Sequence, residues 1–407
     1  MSLTDETVHA VGALTARWAS TVDDGTVFSA AGVWPLLGFL ADGAAGAARE
    51  ELAGAVGIPA GQSAAAAREL LDAMGRMRGL DCALGLWTRR TVELREAWEA
   101  GLPADAHGVL TGDAKADRSA LDAWAAKRTG GLVERMPVML RPDTALVLAT
   151  ALALRTDWEV PFTGELAAWR GPVERAEDWA GLTRTTSDLD DVSVARACDG
   201  TVTAVRVRGT NGLDVHLLLG DERMAPGRVL SAGVDILAGG LAAVPGSRLP
   251  LGGPGPGLRV NRIRTLRPQA PSLVLDTVEF ALAADHDLIA RPELFGLATA
   301  SDGAPGHFPG ISAAPLGLRS GQQSATATFS AEGFRAAAVT TMEPVWLSAP
   351  EQQPEPEYET TVTHAVFERP FAFLAVHRAT RLVLAAGWVA EPKPFREDDY
   401  DWPGTAP

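Results

Sequence analysis

The order of helical and strand-like patterns along the chain constrains its fold more than any other feature. In the first third, apolar residues recur at helical spacing, for example from Asp5 to Trp18. From Thr201 onward the alternation is that of strands, and the clearest hairpin signal is Asn211-Gly212 between two apolar runs. Because helices precede strands without βαβ alternation, the sequence predicts an α+β fold, with a helical N-terminal part packed on mainly antiparallel β-sheets.

Further patterns locate individual elements. The stretch from Arg118 to Met136 predicts a long amphipathic helix with Gly130-Gly131 near its end, and the run from Thr144 to Leu154 predicts a central apolar strand. A final strand pair is predicted at 371–376 and 382–389. Since no repeat or linker interrupts the chain, we expect one domain over residues 1–392, followed by an acidic, proline-containing tail over 393–407.

Charge and composition narrow the class of partner. Of 407 residues, 51 are Asp or Glu and 36 are Lys or Arg, which gives a formal charge of −15. This balance, with no basic block, argues against nucleic acid or an anionic membrane surface as the partner. No window reaches the ~18 apolar residues of a membrane-spanning helix, and residues 1–20 lack the features of a signal peptide. We therefore expect a soluble, monomeric, cytoplasmic protein, with signal-independent export left open.

Motifs of enzyme chemistry are scarce. The chain has no glycine-rich phosphate loop before a lysine and no GxSxG nucleophile elbow. Cysteines and histidines lack metal-ligand spacing, so we expect no metal or cofactor, and Cys82 and Cys198 are predicted to be buried free thiols. The one dense acid–imidazole cluster, Asp285-His286-Asp287, lies between a predicted strand and a helix, a position that favours a structural role.

The stretch from Ser324 to Ser348 is strand-like where a loop would normally carry turn residues. A period of two places Phe334 on an uncharged face and puts Arg335 and Glu343 on the other. The residues alone leave two interpretations open. The stretch is either an ordinary strand continuing from Phe329 or a segment of small residues able to enter a sheet.

Five separated stretches together resemble the serpin family of serine protease inhibitors, in a bacterial-type member. They cover essentially the whole chain in the expected order and are similar to the start of helix B (VFSPxSIS), helix F, the LVNAIYFKGxWxxPF motif, the FSGIS motif and the C-terminal strand pair. In this sequence they are Val27–Ser29, Leu121–Leu132, Leu148–Phe162, Phe308–Ser312 and Phe367–Pro392. The resemblance implies a serpin-like α+β fold with an exposed reactive-centre loop.

By the same resemblance, Ser324–Ser348 is similar to the hinge and reactive-centre loop. Glu332-Gly333 matches the family's Glu-Gly, and the following hinge positions are Phe334, Ala336, Ala337, Ala338, Val339 and Thr340. In the family the scissile bond follows the fourteenth residue after that glycine, which implies the bond Leu347-Ser348 here. The breach and shutter positions fall on Trp158, Ser29, Thr150 and Gln323.

The resemblance implies a suicide substrate of serine proteases. The protease would form an acyl-enzyme at Leu347, and the cut loop would then insert as a new strand of the large sheet, as is the mechanism of this family. Each added backbone hydrogen bond contributes roughly 0.5–1.5 kcal/mol net, so a dozen with side-chain burial would supply on the order of 10 kcal/mol. A leucine before the cut implies chymotrypsin-like or elastase-like targets.

Departures from the family pattern keep alternatives open. Phe334 stands where a smaller residue is usual, so its volume is expected to slow insertion, and Pro344 removes one ladder donor. Gly32, Thr150 and Gln323 replace a shutter serine, asparagine and histidine, and an acidic run over 351–359 lengthens the segment after the bait bond. The alternatives are a non-inhibitory serpin used as a carrier, binding module or repurposed enzyme, and an unrelated α+β enzyme.

Overall fold

The fold is described from a computed structural model of the chain. The structure describes residues 3–103, 106–131, 135–136, 140, 146–171, 178–302, 304, 306–314, 316–318, 320–334, 340–341, 358–395 and 400–401. The predicted bait bond Leu347-Ser348 and the hinge residues Ala336–Val339 lie outside the described residues.

Eight α-helices lie in the described part of the chain, most of them in its first third. They are α1 (Asp5–Ala19), α2 (Ala30–Gly43), α3 (Gly46–Val56), α4 (Ala60–Met74), α5 (Glu96–Glu99), α6 (Ala114–Arg128), α7 (Pro226–Ala238) and α8 (Pro292–Phe295). Helix α1 begins where Thr4 accepts a hydrogen bond from the backbone N–H of Thr7, and Asp5 and Glu6 complement the positive end of the helix dipole. Helix α2 is buried along nearly its whole length, so it is the central helix of the packing.

Strands dominate the remainder of the chain. In chain order they are β1 (Thr26–Phe28), β2 (Leu80–Arg89), β3 (His107–Leu110), β4 (Leu146–Leu154), β5 (Thr156–Asp157), β6 (Thr163–Ala167), β7 (Trp179–Thr186), β8 (Val192–Ala197), β9 (Gly200–Val207), β10 (Leu213–Gly220), β11 (Ala243–Pro245), β12 (Gly252–Gly255), β13 (Leu258–Thr265), β14 (Ser272–Val278), β15 (Phe280–Asp287), β16 (Gln322–Phe329), β17 (Gly333–Phe334), β18 (Thr340–Thr341), β19 (Tyr358–Val366), β20 (Phe371–His377), β21 (Leu382–Val389) and β22 (Tyr400–Asp401).

Three large sheets organise these strands. Sheet A has the order β3-β2-β4-β16-β17-β5, with β15 also paired to β16; sheet B has the order β1-β21-β20-β10-β9-β8-β11; sheet C has the order β12-β13-β19-β14-β7-β6. Most neighbouring strands are antiparallel, whereas the pairs β2–β3, β4–β16 and β14–β19 are parallel. A single residue, Glu279, separates β14 from β15, so the chain passes directly from sheet C into sheet A. The predicted α+β fold class is confirmed.

The main core lies between sheets A and B. Phe280 of β15 stacks on Phe329 of β16 with ring centroids 5.3 Å apart, and it lies 5.2 Å from Phe373 of β20. All eight residues of β21 are buried, which explains why the last strands read as continuous apolar runs. The inner face of sheet A therefore packs against the C-terminal strand pair, β20 and β21.

The helix predicted over 118–136 is α6, and it ends earlier, at Arg128. Gly130 and Gly131 follow with φ of +59° and +87°, a left-handed conformation that glycine adopts without steric cost and that ends the helix. The cysteines are both free, but the burial predicted for Cys198 is wrong, because this residue is exposed in the turn between β8 and β9. Cys82 is half-buried, and burial raises the pKa of its thiol to about 12.

The chain still bonds to the domain beyond residue 392. Lys393 donates its backbone N–H to the carbonyl of Glu279 (2.7 Å), and Phe395 donates to the carbonyl of Asp178 (2.9 Å). Main-chain pairing with sheet C thus continues through Phe395, three residues into the segment expected to be a tail.

Candidate functional site

The hinge begins as a tight turn at the end of β16. Ser330 donates both its backbone N–H (3.0 Å) and its hydroxyl (3.1 Å) to the carbonyl of Gly333. The chain therefore reverses within three residues, and β17 runs back alongside β16. A Cβ at Gly333 would lie 2.2 Å from the carbonyl oxygen of Thr156, so the neighbouring strand leaves room only for glycine at this position.

Strand β17 lies between the ends of β16 and β5. Phe334 pairs with Phe329 of β16 on one side and with Thr156 of β5 on the other, both antiparallel, and Gly333 pairs with Asp157. The second and third hinge residues, Gly333 and Phe334, thus form the beginning of a strand between two neighbours of sheet A. The antiparallel direction is the one that an inserted loop continuing from β16 would take.

Phe334 is buried at this point, with only 3% of its surface exposed. Its ring lies 5.9 Å from that of Phe373, on the core side of sheet A. The period of two placed this residue on the uncharged face, and the structure puts it in the core. The volume of the phenylalanine is accommodated here by the aromatic cluster under the sheet.

Beyond the hinge, the strands β4 and β16 diverge. They pair at Gln322–Ala149 and Gln323–Thr150. Further along, Leu152 and Leu154 of β4 and residues 324–326 of β16 line a cavity of about 20 Å³. This volume holds about one water molecule. Sheet A therefore has a narrow gap, hereafter the slot, that lies between β4 and β16 and continues the line of β17.

The side chain of Gln323 closes the end of the slot that is farther from β17. Its amide oxygen accepts from the backbone N–H of Ser29 (2.9 Å), and its amide nitrogen donates to the carbonyl of Ser29 (2.8 Å). The Ser29 hydroxyl donates to the carbonyl of Leu384 (2.6 Å) and accepts from Gly32 N–H (3.0 Å), which caps helix α2. These contacts tie β16 to the start of α2 and to β21.

The predicted shutter residues are thus brought together by the fold. Ser29, Gln323 and Thr150 are 3%, 3% and 5% exposed and all line the slot. At Gly32 a Cβ would lie 3.3 Å from the Ser29 hydroxyl and 3.4 Å from the Gln323 amide nitrogen, closer than most real contacts. The missing side chain at position 32 therefore leaves space for the glutamine amide.

Trp158 holds the turn that precedes β17. Its indole N–H donates to the carbonyl of Ser330 (2.9 Å), and its backbone N–H donates to the carbonyl of Glu332 (3.0 Å). The ring packs against Phe329 at 4.9 Å. Phe162 adds a backbone bond to the carbonyl of Ala331 (2.8 Å), so the segment 158–162 holds the whole turn in place.

An ion-pair network supports this segment. Arg378 binds the buried carboxylate of Asp214 through two nitrogens (2.7 and 2.9 Å) and also binds Glu159 (2.9 Å). The hydrogen bond to Asp214 raises the pKa of Arg378, which keeps this guanidinium charged. Arg184 lies over the ring of Phe162 at 4.8 Å, and its burial lowers its pKa to about 10. The network fixes the backbone next to Trp158.

In the cluster Asp285-His286-Asp287, the histidine makes contacts that join elements of the fold. His286 donates a ring N–H to the carbonyl of Val27 (2.8 Å) and packs edge-on against Trp18 at 5.1 Å. Burial lowers the pKa of His286, so its neutral form is favoured. The ring joins β15 to β1 beside the shutter.

Sequence reasoning missed several residues of the site. Ser330 and Thr156 carried no signal, because their roles depend on strands far apart in the chain. Asn211 was interpreted only as a turn residue, yet it accepts from the hydroxyl of Thr156 (2.6 Å) and donates to the carbonyl of Arg155 (2.7 Å). Thr340 of the predicted hinge lies in β18, which pairs with β22.

Solved structures with the same arrangement identify the fold. Thyroxine-binding globulin in complex with thyroxine superposes with a TM-score of 0.70 over 95% of this chain and 99% of that one, at 16% identity. The thermophilic serpin tengpin in its native state gives a TM-score of 0.72 over 96% and 95% of the chains, at 12% identity. The chain has the serpin fold. Native protease nexin-1 with heparin gives 0.69 over 96% and 100% of the chains, at 15% identity.

Sequence comparisons support the serpin superfamily. The family model described as Serpin (serine protease inhibitor) matches residues 11–168. A curated protein called putative serpin-Z6C, from Oryza sativa subsp. japonica, is 24% identical over 404 residues and covers 90% of each chain. These relatives include a plant protein, and the bacterial type stays a prediction.

In the described part of the chain, no three His, Cys, Asp or Glu side chains are grouped so that they could hold a metal ion. None of the helices described is long and apolar enough to cross a membrane.

Proposed function

We propose that this protein inhibits serine proteases by inserting its cleaved reactive-centre loop into sheet A. The observation that supports this most directly is the position of β17. Gly333 and Phe334 already occupy the first two places of a strand between β16 and β5, and the slot continues from there between β4 and β16. A loop released by cleavage has its first strand residues in register before insertion starts.

The chemistry belongs to the protease, and the inhibitor supplies the substrate bond. The protease serine attacks the carbonyl carbon of Leu347, the bond to Ser348 breaks, and the new amine leaves with a proton. Leu347 is then held as an ester of the protease. Its apolar side chain fits a chymotrypsin-like or elastase-like pocket, which is the target class we propose.

Insertion then competes with hydrolysis of that ester. The residues after Phe334 would pair with both β16 and β4, gaining roughly 0.5–1.5 kcal/mol net for each backbone hydrogen bond. The cost is the opening of the two parallel pairs at Gln322 and Gln323 and of the β18–β22 pairs at Thr340 and Thr341. Because many bonds form and few break, the balance favours insertion, which carries the attached protease to the far end of sheet A.

A protease panel tests this proposal. The protein is incubated with chymotrypsin-like, elastase-like and trypsin-like proteases, and the products are separated in denaturing detergent. We expect a covalent adduct with proteases that accept leucine, and a released C-terminal fragment that begins at Ser348. Cleavage at Leu347-Ser348 without an adduct, for every protease that cuts there, would contradict inhibition.

A second candidate function is that of a carrier for a small molecule. Helices α1 and α7 and the turn 378–381 enclose an open cavity of about 570 Å³, within the ~300–1,000 Å³ of typical ligand sites. Its lining includes buried Val234 and Val383, with His9 and Arg381 at the rim. Thyroxine-binding globulin is similar in fold and is described in complex with thyroxine. We therefore propose an amphiphilic aromatic molecule as the ligand class.

Binding experiments separate this candidate from inhibition. Thyroxine and simpler aromatic acids are titrated while tryptophan fluorescence is followed. Ala13→Trp fills the cavity from α1, and Ala123→Trp on the exposed face of α6 is the matched control. Saturable binding that only Ala13→Trp removes supports the carrier; absence of binding to the unchanged protein rejects it.

A further inference from the structure

Asn211 lies where the strand pairing of sheet A is interrupted. On the edge of β4 that faces away from the slot, β2 pairs with β4 as far as Leu80–Leu154, and Arg155 then donates its backbone N–H to the carbonyl of Gly79 (2.7 Å). Strand β2 has no further residue to offer, and the next neighbour along this edge is the tip of the β9–β10 hairpin. The side chain of Asn211 lies between the two.

The amide of Asn211 bonds as a backbone peptide group would. Its nitrogen donates to the carbonyls of Arg155 (2.7 Å) and Arg78 (3.0 Å). Its oxygen accepts from the hydroxyl of Thr156 (2.6 Å) and from the backbone N–H of Leu213 (3.2 Å). Both donor hydrogens and both acceptor positions of the amide are therefore used, and one side chain joins three separate parts of the chain.

The hairpin tip that carries Asn211 continues the pairing along the same edge. Thr210 donates its backbone N–H to the carbonyl of Asp157 (2.8 Å), and Gly209 forms an antiparallel bridge with Trp158. The guanidinium of Arg378 donates to the carbonyl of Gly209 (3.0 Å), which ties the tip to the ion-pair network described above. The amide is thus carried by a turn that has its own hydrogen bonds.

Gly79 leaves the space that this amide occupies. Its φ is +76°, a conformation that glycine adopts without steric cost. A Cβ at this position would overlap both the carbonyl oxygen of Arg155 and the amide nitrogen of Asn211. The local backbone therefore accommodates the asparagine contact at the end of β2.

The other edge of the same residues is where the loop begins to insert. Phe334 of β17 pairs with Thr156 of β5. In the same antiparallel register the next loop residue, Arg335, falls opposite Arg155, and the one after it reaches the end of β4. The inserting loop therefore crosses from β5 to β4 at the residue whose carbonyl Asn211 holds.

This crossing is an unfavourable step of insertion. Arg335 and Arg155 are both cationic, and like charges directly opposite each other in a sheet destabilise the pair. The guanidinium of Arg155 donates to the carbonyl of Thr129 (2.7 Å) and lies 3.6 Å from Asp81, so it is already engaged in the structure. The main chain at Arg155 must stay in line while this pair forms, and the amide of Asn211 supplies that constraint.

We propose that Asn211 is a positioning residue for loop insertion, which holds the junction of β4 and β5 in line so that the freed loop passes from one to the other in register. This inference rests on the proposed inhibitory function and names a residue on which its efficiency depends. Because insertion competes with hydrolysis of the ester, a displaced junction diverts molecules to cleaved protein and free protease.

Asn211→Asp tests this role by changing one group, since it replaces the amide NH2 by an oxygen that cannot donate. The hydroxyl of Thr156 keeps its acceptor, whereas two carbonyls now face a carboxylate. We expect cleavage at Leu347-Ser348 with unchanged kcat/KM and about a tenfold fall in the ratio of covalent adduct to cleaved protein, the factor that one lost hydrogen bond supplies. Asn261→Asp, exposed on β13, is the control with the same change of charge.

A further variant separates positioning from a general loss of stability. Leu52→Ala opens a cavity in helix α3, which packs on the helices α1, α2, α4 and α8. We expect it to lower stability in urea while leaving the ratio of adduct to cleaved protein unchanged. If Leu52→Ala and Asn211→Asp lower the ratio alike, or if Asn211→Asp leaves it unchanged, the positioning role is refuted.

The time course of heat stability after rapid cleavage measures insertion without an attached protease. If no protease forms an adduct but the cut protein gains Tm, inhibition is refuted; a slower gain in cut Asn211→Asp then supports the positioning role, and an equal rate refutes it. If the cut protein with Asn211 never gains Tm, the loop does not insert, and both the positioning role and the inhibitory function are refuted.

Discussion

At the scale of single residues, Gln323 makes the hydrogen bonds that close one end of the slot. Its amide satisfies both the N–H and the carbonyl of Ser29, which are buried where helix α2 begins. An imidazole in this position would titrate near neutral pH, whereas an amide keeps both hydrogen bonds at every pH. The shutter of this protein is therefore held by a group whose bonding does not change with pH.

Removing that amide tests the role of Gln323. Gln323→Ala leaves the buried N–H of Ser29 without its partner, at a cost of about 1–3 kcal/mol, whereas the carbonyl of Ser29 keeps the hydrogen bond from the backbone N–H of Val33 (3.3 Å). We expect the free energy of unfolding to fall by roughly 1–3 kcal/mol in urea denaturation. The control is Gln322→Ala, one residue earlier and only half-buried. If the two variants lose the same stability, the hydrogen bonds to Ser29 do not hold the end of the slot that is farther from β17.

The residue scale also shows where sequence reasoning stops. The shutter set Ser29, Thr150 and Gln323 was predicted by resemblance, and the fold does bring these residues together. The bonds of Trp158 to Ser330 and Glu332 were not predicted, because they join residues more than 170 positions apart. Periodicity reports which face of a strand is buried but not which distant carbonyl lies opposite a given N–H.

At the scale of elements, strand β17 determines whether the loop can start to insert. Phe334 is anchored on Phe373 and paired on both sides. The anchor is apolar, so its burial requires no charge to leave water. The large side chain fills space in the core of this structure, and the slower insertion expected from its volume stays a prediction.

A charge at this anchor should convert the proposed inhibitor into a substrate. Phe334→Glu would place a carboxylate beside Phe373, and its desolvation favours a β17 that leaves the sheet. We expect the protein to be cleaved at Leu347-Ser348 with far less covalent adduct, so that more inhibitor molecules are consumed per protease inactivated. Arg335→Glu, on the opposite face by the period of two, is the control and should keep the adduct yield. Equal loss in both variants would contradict the anchoring role.

Elements differed in how well the sequence predicted them. The final strands, predicted at 371–376 and 382–389, are observed as β20 and β21 within one residue, since long apolar runs leave little ambiguity. The hairpin at Asn211-Gly212 joins β9 and β10 as predicted. The parallel pairing of β4 with β16 was not predictable, because about 170 residues separate them and local pattern carries no information on pairing across such a distance.

At the scale of the whole molecule, sheet A has a gap between β4 and β16 where a further strand could pair. Strands β4 and β16 are joined by two residue pairs at one end and by β17 and β5 at the other, with the slot between them. Full pairing along the slot would add backbone bonds to both strands at once. We therefore expect the observed arrangement to be less stable than the same chain with a further strand in sheet A.

Cleavage of the loop should raise the Tm, because the freed loop can then pair with β4 and β16 in sheet A. Ten or more new hydrogen bonds with the accompanying burial supply on the order of 10 kcal/mol. With an unfolding entropy of about 2.1 cal/mol/K per residue, a protein of this size would gain roughly 10 °C or more in Tm. The protein is cut at Leu347-Ser348 by a catalytic amount of protease, and calorimetry compares intact and cut samples. Phe334→Glu, cut at the same bond, should gain less because its first strand pair is weakened. An unchanged Tm in the cut protein would mean that the loop stays outside sheet A, and the carrier would then be the better account of this fold.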